Sequence, residues 1–293
     1  MIMDIINIVK LLRPHQWLKN LFLFLPIFFG NQIMDFQRLL PTFIAFVAYS
    51  FLSSSVYCLN DIQDCELDKL HPEKRKRPLA AGKVSIREAY IIMILLFLIS
   101  SAILLYAELY EVLYIALIYY VINILYCVKL KNVALVDIFI VSSGFVLRLF
   151  AGGVASGIEL SKWIILMTFL LSLFLAFSKR LDDSRIYVKK LVKMRRNISS
   201  YTPEFIQLSL AIICAITIVC YIMYTVDDAV IKRVSNDNLY MTSVFVLLGM
   251  LRFLQLAVVE LKSSSPTKIL IKDHFIQMCI ILWVFVFIVI LYV

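Results

Sequence analysis

The stretch Asn60-Asp61-Ile62-Gln63-Asp64-Cys65-Glu66-Leu67-Asp68 closes an apolar run over residues 40–59 and leads into the basic string Lys74-Arg75-Lys76-Arg77. On a helix Asp61, Asp64 and Asp68 stand at i, i+3 and i+7, so their side chains share one face, and Asn60 flanks that stripe. Carboxylates gathered on one face repel one another unless a cation sits among them. Oxygen ligands at a membrane-adjacent helix end suit Mg²⁺, which takes one or two carboxylates plus substrate phosphates rather than a full protein cage. A solvated acidic helix end would carry the same letters. The apolar run before it and the basic string after it favour a diphosphate–Mg²⁺ site.

The chain around this stretch is built for a membrane. Its 293 residues are 62% hydrophobic, and the mean hydropathy is +0.91, far above the mix of soluble domains. The net charge of +9 then points to cytoplasmic loops and anionic headgroups rather than to nucleic acid. The cysteines at 58, 65, 127, 214, 220 and 279 show no CxxC or metal spacing, and most lie in apolar runs where a thiol packs as a small hydrophobe. Asp4 and Lys10, with no small-residue cleavage site, argue against a removable signal peptide.

Length and apolar content predict a single all-α, polytopic membrane domain over residues 1–293. A short interfacial helix comes first, with Ile5, Ile8, Val9 and Leu12 on one side. About nine spans follow, each near 20 residues or shorter. They cover residues 17–30, 41–60, 85–106, 112–128, 135–155, 161–177, 205–226, 239–260 and 274–293. With a cytoplasmic N-terminus, segments 1–20, 61–87, 129–131, 179–203 and 260–273 fall inside and hold 23 of the 29 lysines and arginines. The opposite side holds only Arg38, Lys162, Lys232 and Arg233. Under the positive-inside rule this places both long charged loops in the cytoplasm.

The second long loop begins Ser178-Lys179-Arg180-Leu181-Asp182-Asp183-Ser184-Arg185. Like the first, it ends an apolar helix with carboxylates and turns basic, as in a duplicated half-bundle whose acidic ends face one pocket. Ordinary positive-inside charge is the competing reading. Ionisable residues inside spans are costly and normally face a bundle interior. Asp137 and Arg148, eleven positions apart in one predicted span, share a helix face. Arg148 is either one half of an internal ion pair or an anion ligand deeper in the pocket. Ala151-Gly152-Gly153 after it permits close helix packing. Arg252 is expected to snorkel or to pair with Glu260, outside the site.

Several stretches resemble a known family. Asn60-Asp61-xx-Asp64-xxx-Asp68 is similar to the first aspartate motif of the UbiA-type intramembrane prenyltransferases. More specific are Arg13-Pro14-His15-Gln16-Trp17-Leu18-Lys19-Asn20, the string from His71 to Gly82, Ser142-Ser143-Gly144-Phe145-Val146-Leu147-Arg148, Leu160-Ser161-Lys162-Trp163 and Lys179-Arg180. Together they resemble the decaprenyl-phosphate phosphoribosyltransferase branch, most weakly after residue 226. Lys179-Arg180-xx-Asp183 stands where the superfamily usually reads DxxxD.

The resemblance implies a UbiA-like bundle, Mg²⁺, and transfer of 5-phosphoribose from phosphoribosyl pyrophosphate to a polyprenyl phosphate. A prenyltransferase moving an isoprenoid from a prenyl diphosphate to an aromatic or other small acceptor is the alternative. A secondary transporter is a third reading, disfavoured because the acidic motifs lie at helix ends coupled to basic loops. Either transfer breaks a carbon–oxygen bond to pyrophosphate, so cations must meet the charge that develops there. In this reading Asp61, Asp64 and Asp68 hold Mg²⁺, with Asp183 a further ligand. Lys74, Arg75, Arg77, Lys179 and Arg180 clamp phosphates. Lys19 and Lys131 are candidates for the lipid phosphate or the 5-phosphate, and Asn123 and Tyr126 for the ribose pocket. The phosphate nucleophile is already ionised, so no general base is required.

Overall fold

The computed structural model describes residues 5–70, 74–190, 197–234, 236–261, 269 and 272–292, and no strand occurs among them. In chain order the α-helices are α1 (Ile5–Leu12), α2 (Leu25–Phe29), α3 (Phe36–Gln63), α4 (Cys65–Leu70), α5 (Ile86–Tyr106), α6 (Tyr110–Val128), α7 (Val136–Ser156), α8 (Lys162–Lys190), α9 (Pro203–Thr225), α10 (Asp228–Val234), α11 (Ser243–Val258) and α12 (His274–Tyr292). Among the described residues, seven segments are long and apolar enough to cross a membrane: α3, α5, α6, α7, α8, α9 and Asp237–Val258, which contains α11. The shorter apolar stretch His274–Ile290 lies within α12.

The expected span over residues 17–30 is not a membrane-length helix. It is a 3-10 segment, Pro14–Phe24, followed by the short α2. Pro14 and Pro26 each remove a backbone donor, and Arg13 opens the segment in the left-handed region at φ 52°, ψ 59°. Irregular backbone survives at membrane depth only where it is buried in protein. Here it is: a Cβ built on Gly152 of α7 would lie 2.1 Å from the Leu23 carbonyl oxygen. The glycine is what lets the two backbones touch.

Serines of α3 hold the other side of this segment. Trp17 Nε1 donates to Ser54 Oγ at 2.9 Å. Asn20 Nδ2 donates to Ser50 and Ser53 at 3.2 and 3.1 Å, and Ser54 Oγ donates to the Leu12 carbonyl at 2.8 Å. Small hydroxyl residues of this kind bring membrane helices together where burial gives no drive between them.

Cα packing divides the chain into two compact units, Met1–Leu160 and Ser161–Val293. In the first, Ala45, Ala48, Tyr49, Leu52 and Val56 of α3 form the spine, against Leu104 of α5, Ala116 and Tyr119 of α6, and Ala151 and Ala155 of α7. Ser85 and Glu88 form a capping box that starts α5, and Arg38 donates to the carbonyls of Ser156, which ends α7, and of Gly157 after it. In the second unit α8 packs on α9 and α11 on α12. Trp163 Nε1 reaches Asp227 at 3.0 Å, and Arg252 pairs with Glu260 at 3.0 Å and Asp273 at 2.9 Å. The Arg252 hydrogen bond holds the Asp273 carboxyl below the usual carboxylate range. Arg252 is thus paired, with Glu260 as the sequence suggests and with Asp273 besides.

A candidate phosphate and metal site at the end of α3

The helix that delivers the acidic stretch breaks within it. α3 ends at Gln63 and α4 begins at Cys65, yet Asp68 N still donates to the Asp64 carbonyl at 2.8 Å. The bend leaves Asp61 and Asp68, two turns apart, on one side. Arg77 Nη1 bridges them, 3.1 Å from Asp61 Oδ1 and 2.5 Å from Asp68 Oδ2. Arg13, whose backbone is left-handed, also donates to Asp61 Oδ1. Lys74 Nζ stands 4.0 Å from Asp68 Oδ1. Asp61 and Asp68 are 1% and 3% exposed.

Asp64 takes a different partner from its two neighbours. Its carboxylate meets Lys131 Nζ at 2.5 Å, in the 3-10 turn Leu130–Asn132 after α6. The shared face predicted for the three aspartates therefore resolves into a close pair and a neighbour held by Lys131. Asn60 Oδ1 accepts from Cys127 Sγ at 3.8 Å, and Arg75 is exposed. His15, just outside, is pushed below its ordinary pKa by burial and by Arg13 and Lys19.

A second layer lies deeper, around Arg148 of α7, which is 4% exposed. Its Nε donates to Asn20 Oδ1 at 2.7 Å, Nη1 to the Gly144 carbonyl at 2.7 Å and Nη2 to Tyr119 Oη at 2.9 Å. The guanidinium carbon sits 4.7 Å from the Tyr119 ring centroid. Among the described residues no carboxylate lies within 4.0 Å of it, so the ion-pair reading of Arg148 does not hold there. Lys19 Nζ lies 6.0 Å from the centroid of Tyr57. Asn123 donates to the Tyr119 carbonyl of its own helix at 2.8 Å, and the Tyr126 ring packs on the α3–α6 core. Asp137 is buried in the first turn of α7.

In the second unit α8 continues well past the predicted end of that span, so Lys179, Arg180 and Asp183 stand on a helix rather than in a loop. Arg180, 3% exposed, lies 3.8 Å from Asp183, one turn on. Ser184 Oγ donates to the Tyr201 carbonyl at 2.7 Å, and Arg185 Nη1 donates to the Ala257 carbonyl at 2.7 Å. The remaining charged residues at 191–196, and His71-Pro72-Glu73 of the first basic stretch, lie outside the described residues.

The residues present fit a hard divalent cation in part. Asp61 Oδ2 is buried without a hydrogen-bond partner, beside an Oδ1 that already takes two guanidinium groups. One nitrogen of Arg77 occupies the place between two carboxylate oxygens where a cation would sit. Among the described residues no group of three or more His, Cys, Asp or Glu is arranged to hold a metal. Two carboxylates with phosphate oxygens completing the shell is nonetheless the usual habit of Mg²⁺. Arg13, Asn20 and Tyr119 reach the candidate site through contacts that spacing alone does not assign. For Asn20 the signal is the pair Ser50 and Ser53 inside an apolar span.

Carboxylates and guanidinium groups gathered at one end of membrane helices, above a buried arginine, mark an integral-membrane protein suited to phosphorylated substrates. Residues 22–195 match the UbiA prenyltransferase family, and the chain belongs to that family. Among its relatives, the decaprenyl-phosphate phosphoribosyltransferase of Corynebacterium glutamicum is 32% identical over 290 residues, covering 98% of this chain and 87% of that one. The decaprenyl-phosphate phosphoribosyltransferase of Mycolicibacterium smegmatis is 30% identical over 291 residues, covering 95% and 90%. Among solved structures, a UbiA homolog from Archaeoglobus fulgidus bound to GPP and Mg²⁺ superposes with a TM-score of 0.70 at 20% identity, covering 98% of this chain and 100% of its own. That likeness establishes the fold.

Proposed function

We propose that the chain is a polyprenyl-phosphate phosphoribosyltransferase, moving 5-phosphoribose from phosphoribosyl pyrophosphate to a polyprenyl phosphate with release of pyrophosphate. The observation that carries this is the near-full-length similarity to enzymes named for that reaction. The geometry supports it. In the reaction the bond from ribose C1 to the pyrophosphate oxygen breaks, and an oxygen of the lipid phosphate bonds to C1. The nucleophile is already anionic, so the protein supplies positioning and countercharge.

Asp61 and Asp68 would hold Mg²⁺, whose charge neutralises the leaving pyrophosphate when bound. Arg13 and Arg77, released from those carboxylates, turn to phosphate oxygens with Lys74 and Arg75. Lys131 holds the Asp64 carboxylate in place at the end of α6. Arg148, with Lys19 nearby, offers an anion subsite further in; Asn123 and Tyr126 are assigned to the ribose, and Asp137 to the substrate pocket on the α7 face it shares with Arg148. In the second unit Lys179 and Arg180 are assigned to phosphate, and Asp183 to a divalent cation. We place the N-terminus and the basic segments on the cytoplasmic side of the cytoplasmic membrane, as the lysine and arginine bias directs.

The second reading is prenyl transfer from a prenyl diphosphate, favoured by the Archaeoglobus fulgidus homolog having been solved with GPP and Mg²⁺. Purified protein given Mg²⁺ and either ribose-labelled phosphoribosyl pyrophosphate with polyprenyl phosphate, or labelled geranyl diphosphate with aromatic acceptors, separates the two. Label from the ribose entering the organic phase supports the proposal. Label entering only from the prenyl donor overturns it.

A further inference from the structure

The deep layer holds a buried cation among neutral partners only, and one residue decides that. A guanidinium carries five N–H groups; three are taken, by Asn20, Gly144 and Tyr119, and two remain. The Tyr49 hydroxyl, fully buried, has no partner among the described residues, and its ring lies 5.7 Å from that of Tyr119. A buried charge with spare donors and no counterion is costly unless an anion completes it.

The orientation of Asn20 follows from the serines beneath it. The Ser50 hydroxyl proton goes to the Phe46 carbonyl at 2.8 Å, and that of Ser53 goes to the Tyr49 carbonyl. Each serine oxygen is left as an acceptor facing Asn20. The amide must therefore present its NH₂ to the serines and its oxygen to Arg148 Nε. An aspartate is nearly isosteric here and would meet the same Nε, but it would cancel the charge.

We propose that Asn20 is a positioning residue that fixes the Arg148 fork while leaving its charge uncompensated, so that a substrate phosphate becomes the counterion. This rests on the phosphoryl-substrate reading above and deepens it. The phosphate belongs either to the sugar donor or to the lipid, and the chemistry is the same for both.

Asn20→Asp tests the proposal. The variant is expected to insert and fold, because Arg148 gains a counterion where the amide loses its two hydrogen bonds to Ser50 and Ser53. KM for one substrate should rise about ten- to hundredfold, the range of one charge-assisted hydrogen bond, with a smaller change in kcat. A rise confined to phosphoribosyl pyrophosphate assigns the subsite to the donor, and a rise confined to the polyprenyl phosphate assigns it to the lipid. A merely structural amide would leave the KM values unchanged whatever the melting temperature, and that result overturns the proposal. Should Asn20→Asp not insert, Ser53→Ala carries the test: the same KM must rise, and no change in it is contrary. Transfer by the unsubstituted protein is measured alongside. If it uses only a prenyl diphosphate, the phosphoribosyl reading fails, and the Asn20 comparison is read on that donor's KM instead.

Discussion

Arg77→Ala should make the protein need less Mg²⁺ while making it a poorer enzyme. Arg77 Nη1 lies 3.1 Å from Asp61 Oδ1 and 2.5 Å from Asp68 Oδ2. At those distances and an effective dielectric near 20, the two contacts carry Coulomb energies of about 5–7 kcal/mol each before desolvation. The net worth of such a charge-assisted bond is about 1.5–3 kcal/mol. A divalent cation must displace that guanidinium to reach both carboxylates. Without it, the Mg²⁺ concentration for half activity falls about tenfold, since about 1.4 kcal/mol is a factor of ten. The same change removes a donor from the developing pyrophosphate charge, which lowers kcat/KM by about 10²–10³. The assay is a Mg²⁺ titration of ribose transfer on both proteins, with initial rates taken at saturating substrates for the Mg²⁺ requirement and at subsaturating substrate for kcat/KM. Arg77→Lys should recover part of the rate, because an ammonium supplies charge without the fork. A Mg²⁺ requirement that rises, or a kcat/KM unchanged from that of the unsubstituted protein, refutes the account of Arg77.

Asp61→Asn and Asp68→Asn should each abolish turnover in a folded, inserted protein, whereas Asp64→Asn, which loses only the Lys131 pair, should retain measurable activity; equal activity in all three removes the division of roles. Gly152→Ala should lower the melting temperature in detergent by an amount corresponding to about 1–3 kcal/mol, because its Cβ meets the Leu23 backbone at 2.1 Å, while Gly249→Ala, whose nearest contact is 3.7 Å away, should be neutral. Lys83→Cys and Ser199→Cys, both exposed, should resist an impermeant thiol reagent applied to intact cells and react once the membrane is opened. The native cysteines are buried, so background labelling is low, and reaction of both from outside contradicts the cytoplasmic placement.

The pairing of Asp61 with Asp68 was legible because seven residues are close to two helical turns. The fate of Asp64 was not, since its offset on the wheel points it to Lys131, 67 positions along the chain, and spacing names a face without naming a partner. The basic string was readable as a phosphate clamp. That Arg77 first clamps the carboxylates depends on how the chain between α4 and α5 folds back. Residues 17–30 read as a span because hydropathy averages side chains and is blind to backbone dihedrals. Two prolines and a left-handed Arg13 make the segment 3-10 instead. The reach of α8 through Lys179 and Asp183 escaped for a related reason: charge ends a membrane span without ending a helix. Asn20 and the serines below it are small polar letters in an apolar run, where packing is the ordinary reading, and only their mutual geometry reveals a relay to Arg148.

The most direct test of the central claim is mass spectrometry of the lipid product formed by purified protein from phosphoribosyl pyrophosphate, polyprenyl phosphate and Mg²⁺. The account predicts a polyprenyl phosphate enlarged by one phosphoribosyl group, matched mole for mole by released pyrophosphate and absent when Mg²⁺ is chelated. A lipid recovered unchanged from an active, folded preparation that instead prenylates a small acceptor would contradict it.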